Sequence, residues 1–294
     1  MILEEIVVTD LKSIRSVYAF LPGNLNTISS RKGIKKAINK GLVLINNRVA
    51  KYDTKIQNGD VITLTAPKHV AKVYRSSLTV HYEDEYIAII EKPAGWLTSG
   101  NQFKTTHNAL PFNLSLSKEK DALTTPLPVH RLDLATHGLL LVAKTQQSVQ
   151  NLGKAFEQRT IQKKYIALVH GYLNCSGELN FPIDGKAALT RFKTLQTIQN
   201  NNKEHLSLLA LFPTTGRKHQ LRVHLSSIGF PIVGDTKYAK NNQYVKKKGL
   251  FLSAVGLNFD HPITEEKINL EINLPLKFDR FIRLNQIKKP SISR

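Results

Sequence analysis

The stretch His130–Lys144, HRLDLATHGLLLVAK, decides how the chain is read. It sets one carboxylate, Asp133, between an arginine and a short polar turn, directly ahead of the apolar block Leu139–Ala143. Bounded by Gly138 and the Lys144-Thr145 pair, that block suits a strand covered on both faces, although period alone leaves a buried helix segment open. A carboxylate on the loop entering a rigid strand projects from a firm base, as a cleft residue must. The competing reading is that Asp133 only brackets a turn.

A second stretch, Gly216–Tyr238, reads GRKHQLRVHLSSIGFPIVGDTKY. Leu221, Leu225 and Ile228 form the buried side of a helix there, which Gly229 ends. Together the two stretches resemble the RNA pseudouridine synthases related to the large-subunit rRNA enzymes, the RluA type. That family carries HRLDxxTSG, then GRTHQIRVH followed by GxPIxGD. The likeness extends to the strand pair and Lys-Pro-x-Gly turn in Tyr82–Gly100, to KKYIALVHG at Lys163–Gly171, and to a closing strand in Phe251–Pro262. Five ordered matches over about residues 78–275 are far more specific than one short motif.

The resemblance implies an α+β catalytic domain on a long, bent, mostly antiparallel sheet with a central RNA-binding cleft. Many strand-like runs with few intervening helices point the same way, and Val149, Leu152 and Phe156 mark one helix after a Thr145 cap. The implied reaction isomerises specific uridines in structured RNA to pseudouridine, with 23S rRNA the foremost substrate. The alternatives are the same reaction on tRNA, or a non-catalytic RNA-binding or ribosome-assembly factor. No cofactor is implied, because the N-glycosidic bond breaks, the uracil turns, and the same atoms rejoin through C5. Asp133 matches the catalytic aspartate, which attacks C1′ or takes the C2′ proton. Tyr165 matches the tyrosine that stacks on the base, and Arg222 the arginine that pairs with the aspartate. Arg131 and His130 in the first motif, with Arg217 and His219 in the second, are the expected RNA contacts. Intact Asp133, Tyr165 and Arg222 argue against a non-catalytic protein. Two positions depart from the pattern: His137 stands where the family has serine, and Lys218 where it has threonine. The larger ring beside the catalytic loop bears on substrate choice.

Composition agrees with an RNA partner. The 294 residues hold 42 Lys or Arg against 22 acids, a formal charge of +20, which calls for a polyanion. A membrane partner is disfavoured, since no apolar run approaches the roughly 20 residues that span a bilayer. The opening MILEEIVVTDLK has two glutamates where a secretion signal wants positive charge, so a cytoplasmic, monomeric enzyme is expected. The single cysteine, Cys175, excludes an internal disulfide and a cysteine-based zinc site. His219 and His224 are five residues apart, which on a helix turns the rings about 140° from each other, so no metal is expected.

Residues 1–66 read as a small α/β RNA-binding domain of the S4 type, residues 67–77 as a basic linker, and residues 78–294 as the catalytic domain. Ser30 caps a helix with Ile34, Ala37 and Ile38 on its apolar face and Gly41 at its end. A hairpin turns at Asn46-Asn47, and Asn58-Gly59 marks another turn before Val61–Leu64. The phrase GLVLINNRVAKYDTKIQNGDVITL resembles the S4 module, while SIRSVYAFLPGN stands where its opening helix signature is expected. Residues 12–75 carry 13 Lys or Arg and two acids, more than half of the net charge. Lys32, Lys36 and Lys40 fall at i, i+4 and i+8 on one helix face and are read as phosphate contacts.

Overall fold

A computed structural model describes residues 2–11, 13–28, 30–65, 73–199, 204–239 and 249–285. The chain divides into two compact units, Met1–Val70 and Ala71–Arg294. Within the first unit the elements are β1 (Ile2–Val7), β2 (Arg15–Ser16), α1 (Val17–Phe20), α2 (Arg31–Asn39), β3 (Val43–Ile45), β4 (Arg48–Val49), β5 (Lys55–Ile56) and β6 (Val61–Thr65). The Ser30 hydroxyl accepts the Gly33 amide at the start of α2, and Ile34, Ala37 and Ile38 are buried. Asn46 and Asn47 both have positive φ, 48° and 65°, as a two-residue hairpin turn between β3 and β4 requires. Strand order is β1-β6-β3-β4. Lys32, Lys36 and Lys40 are exposed along α2 and its end.

Part of the expected linker, residues 67–72, lies outside the described residues. Its remainder is bound to the second unit: the Tyr74 amide donates to Asn108 O at 2.7 Å, and the Tyr74 ring packs against Trp96.

The second unit runs β7 (Val80–Glu83), β8 (Ile87–Lys92), α3 (Thr106–Asn113), β9 (Ala122–Pro128), β10 (His137–Thr145), α4 (Gln146–Glu157), β11 (Gln162–His170), β12 (Ser176–Leu179), β13 (Thr190–Gln199), β14 (His205–Pro213), α5 (Gln220–Ser227), β15 (Leu252–Asp260), β16 (Lys267–Glu271) and α6 (Leu276–Asn285). Ten of these strands form one sheet, ordered β12-β13-β14-β11-β15-β10-β8-β7, with β16 against β15 and β9 against β10. Pairings are antiparallel except between β10 and β15, so the fold is the expected α+β class with a mostly antiparallel sheet. No helix among the described residues is long and apolar enough to cross a membrane.

The apolar block of β10 is the strand that its composition predicts. Leu139, Leu140, Leu141, Val142 and Ala143 are all fully buried. Leu140 and Val142 pack with Trp96 and Leu110, while Leu139, Leu141 and Ala143 pack with Leu152 of α4 and Ile161. Alternate residues thus serve two cores, which is why no polar alternation shows in the sequence.

At the head of β10, Gly138 has φ +123° and lies against β15 so closely that a Cβ would stand 2.1 Å from Ala254 O. The obstacle is backbone on a neighbouring strand and cannot turn aside. Gly138→Ala is therefore expected to destabilise the protein by about 3 kcal/mol or more. Urea unfolding would measure this, and a loss under about 1 kcal/mol would mean that the two strands are not so tightly apposed.

Candidate active site

Asp133 lies on the loop between β9 and β10 and is partly buried. The residues on both sides of it are held by the turn that follows β8. Thr98 Oγ1 donates to Leu132 O and accepts the Leu132 amide, each at 3.1 Å. Leu134 O accepts the Gly95 amide at 2.7 Å. Lys92, which has no exposed surface, donates from Nζ to Trp96 O at 2.7 Å, to Pro93 O at 2.9 Å and more weakly to Leu134 O at 3.5 Å. The Asp133 carbonyl itself accepts the Thr136 amide. The carboxylate therefore projects from a loop pinned before and after it.

A cleft of about 720 Å³ opens over this loop. Asp133, Tyr165, Arg222, Arg131, His130, Arg217 and His219, all singled out in the sequence, share its walls. Tyr165 reaches it from β11, next to a register shift against β15 between Lys164 and Tyr165. A bulge of this kind re-aims the side chain that follows it. Burial, and then the charge of Asp133, pushes the Tyr165 phenol above its ordinary value, so the ring faces the cleft as a neutral aromatic.

His219 precedes α5 in the left-handed region, at φ 56°. Its Nδ1 is 2.9 Å from the Tyr238 hydroxyl, and its Nε2 is 3.9 Å from Asp133 Oδ1. Burial and the Arg222, Lys237 and Lys218 charges outweigh the pull of Asp133 and hold the imidazole below its ordinary value. The loop that carries His219 is shaped by buried Gln220. Its Oε1 accepts from Thr215 Oγ1 (2.7 Å) and the Arg217 amide (3.0 Å), while Nε2 donates to Leu189 O and Thr190 Oγ1, both at 2.9 Å. Every hydrogen-bonding position of that amide is in use.

One expected contact needs correction. Arg222 was expected to pair with Asp133. Its fork closes instead on Asp235, Nε to Oδ2 at 2.7 Å and Nη2 to Oδ1 at 2.8 Å, and its guanidinium lies 5.1 Å from the Tyr238 ring centre. Asp133 acts on it only through space. The turn carrying Asp235 sits beside α5, and the Lys237 and Tyr238 amides also donate to Oδ1. Burial disfavours the ionised Asp235, but these bonds prevail and hold its carboxyl below the ordinary value. His130, expected as an RNA contact, lines the cleft and also braces β10. Its Nε2 accepts the Leu141 amide at 2.9 Å, and burial drives its pKa down to about 3, so the ring is a neutral strut on β10. Arg131 is exposed on the cleft, while Arg217 also donates to Ala187 O.

His137 does not line the cleft. Its Nε2 meets Glu91 at 2.7 Å and its Nδ1 is 3.2 Å from Ser253 Oγ, so the ring joins β10 to β8 and β15. His81 holds the other Glu91 oxygen at 2.8 Å, and bonding to His137 outweighs burial to bring the Glu91 pKa down to about 2. His224 is fully buried between Thr190 Oγ1 and Phe181 O, apart from His219 and its partners. Lys92, Thr98, Gln220 and Asp235 escaped the sequence reading. Their only signal was position in the Lys-Pro-x-Gly turn and in the GRKHQLRVH and GFPIVGD phrases.

A family model described as RNA pseudouridylate synthase matches residues 86–227, and an S4 domain model matches residues 24–62. The chain is 33% identical over 267 residues to an uncharacterized RNA pseudouridine synthase, YlyB, of Bacillus subtilis (strain 168), covering 84% of this chain and 86% of that one. It is 30% identical over 285 residues to the ribosomal large subunit pseudouridine synthase C of Rickettsia bellii (strain RML369-C), covering 84% and 90%. Among solved structures, human RNA pseudouridylate synthase domain containing 4 superposes with a TM-score of 0.55 at 25% identity, over 70% of this chain and 92% of that one.

The buried lysine offers a test of the geometry. Burial brings the Lys92 pKa down from 10.5 to about 8, against the opposing charge of Asp133. Between those values the unfolded chain binds more protons at this site than the folded one, so its contribution to stability rises with pH. The unfolding free energy of the wild type relative to Lys92→Met should therefore increase from about pH 8 to about pH 10. A flat difference in denaturant titrations would show that the ammonium is not desolvated.

Proposed function

This chain belongs to the RNA pseudouridylate synthase family, and from that premise we propose that it converts uridine to pseudouridine in large-subunit ribosomal RNA, with Asp133 acting on the ribose. It is an RNA pseudouridine synthase, an isomerase, with an S4 domain. The observation that carries the assignment to Asp133 is its place: a carboxylate on a loop bonded before and after it, facing a cleft shared with Tyr165 and His219.

The reaction requires a group at the sugar, a surface for the freed base, and shelter from water. A carboxylate serves at the sugar either as nucleophile at C1′ or as base toward the C2′ proton. The neutral Tyr165 ring offers a face on which uracil stacks while it turns, without a charge that would bind it too firmly. Arg222, locked by Asp235, contributes a fixed positive charge near Asp133 and cannot swing onto it to block the substrate. The target nucleotide must leave its stack, because C1′ and C5 cannot be rearranged within one. Exposed Arg131 is placed to hold the opened strand through its phosphates. Acting on ribosomal RNA, the enzyme would work in the cytoplasm.

Asp133→Asn preserves shape and removes the reactive oxygen. It should abolish pseudouridine formation in unmodified large-subunit rRNA transcribed in vitro, while affinity for that RNA stays within about tenfold. Turnover by the purified variant would refute the role.

The exposed stripe on α2 is assigned to RNA phosphates. Replacing Lys32, Lys36 and Lys40 together with alanine should weaken RNA binding and flatten the slope of log K against log salt by up to about three, with turnover at saturating RNA unchanged. An unaltered slope would make the stripe a solvated surface and nothing more.

A further inference from the structure

Among the described residues of the second unit, five lysines are buried or partly buried: Lys92, Lys144, Lys163, Lys164 and Lys277. Four have an acceptor within the protein. Lys92 has its three carbonyls, Lys144 has Glu83, Lys164 has Glu271, and Lys277 has Leu250 O. Lys163 is the exception. Among the described residues its ammonium makes no hydrogen bond and no ion pair; it lies 6.0 Å from the Phe156 ring centre and its charge reaches His130.

Withdrawing an ammonium from water without an acceptor is unfavourable, and here burial alone lowers its pKa, with no carboxylate to oppose it. The acids that share the cleft, Asp133 and Glu157, form no ion pair with it. Arg131, Arg159, Arg217, Lys218 and Arg222 line the same cleft, so its cations outnumber its two acids. Arg159 is held in the left-handed region at φ 62°, just past the end of α4. Among the described residues no counter-charge is bonded to Lys163, and the excess of cations along the cleft favours an anion.

We propose that Lys163, with Arg159 and Arg131 on the same cleft, forms a subsite for a phosphodiester of the bound RNA strand. The inference rests on the RNA-modifying reading above and adds a binding residue to it. An ammonium is a compact point charge that satisfies a phosphate oxygen without demanding a planar partner, as the isolated position of Lys163 requires. Phe156 and His130, whose ring centres are 5.1 Å apart, form an aromatic wall beside it.

The test uses the full-length protein and a fluorescein-labelled RNA hairpin with a uridine loop, followed by anisotropy over a range of salt. Lys163→Met should bind several-fold more weakly, with a log K against log salt slope shallower by about one, and Lys163→Arg should keep the wild-type slope. Without RNA, Lys163→Met should melt no lower than the wild type, because it removes an uncompensated charge and keeps the chain length. An unchanged slope in Lys163→Met overturns the proposal, whatever happens to affinity. So does a lowered melting temperature without a change of slope, which would make Lys163 a packing residue. The readout is binding, so failure of the catalytic reading would appear as absent pseudouridine with the slope effect intact. Failure of this inference would appear as the reverse.

Discussion

Asp133 cannot shift along the chain, because the residue before it and the residue after it are both bonded to one turn. Thr98 grips Leu132 through a hydroxyl that donates and accepts at once, and Gly95 with Lys92 grips the carbonyl of Leu134. Much else in the second unit is arranged to keep that turn in place. Lys92 is buried without a direct carboxylate partner so that its ammonium can gather the Pro93, Trp96 and Leu134 carbonyls. Burial of a lysine is unfavourable unless its protons are satisfied, and three converging carbonyls satisfy them. Gly138 lets β10 run against β15 directly behind the loop, and His130 ties the loop's start to Leu141 in the middle of β10. Rigidity of this carboxylate is a matter of backbone bonds more than of side-chain packing.

What could be read from the chain, and what could not, follows the range of the forces involved. The α2 cap at Ser30, the Asn46-Asn47 turn and the Thr145 cap of α4 are local, and each appears where its residues demand. The buried strand β10 was legible because five apolar residues in a row have few other uses. β9 was not, because ALTTPLP contains Pro126 and Pro128, which argue against a strand. Among the described residues it pairs on one side only, with β10, where a missing amide is tolerated. α3 escaped because Pro111 lies inside it and its apolar residues do not form a single stripe. Asp133, Tyr165 and Arg222 stood out through motif resemblance, and the structure brings them to one cleft.

The partners of those residues were not legible. Arg222 and Asp235 are 13 residues apart, and nothing in the spelling of the two phrases says that the guanidinium closes there and not on Asp133. Lysine in IIEKPAG reads as the solvated end of a strand, since lysine is rarely buried. Only the convergence of distant carbonyls makes the buried position tenable. His137 reads as an intruder in the catalytic loop, yet its side chain turns to Glu91 and Ser253, away from the cleft lining. Tertiary geometry decided all three.

The electrostatics of the cleft follow from this division of labour. A bidentate Arg222–Asp235 pair is neutral as a unit, yet it fixes the guanidinium where its field reaches Asp133. A flexible arginine bonded directly to Asp133 would compete with the substrate for the same oxygens. The observed arrangement avoids that competition, since Asp235 occupies the fork and leaves the Asp133 oxygens open to the cleft. The same logic explains the strain at His219. A left-handed residue without a glycine is unfavourable by about 1 kcal/mol or more, and the Gln220 network over-determines it. That conformation brings the imidazole to Asp133 with its other nitrogen already bonded to Tyr238, so its orientation is set before RNA arrives. Substrate then meets a site whose charges are already in position, and binding energy is not diverted into arranging them.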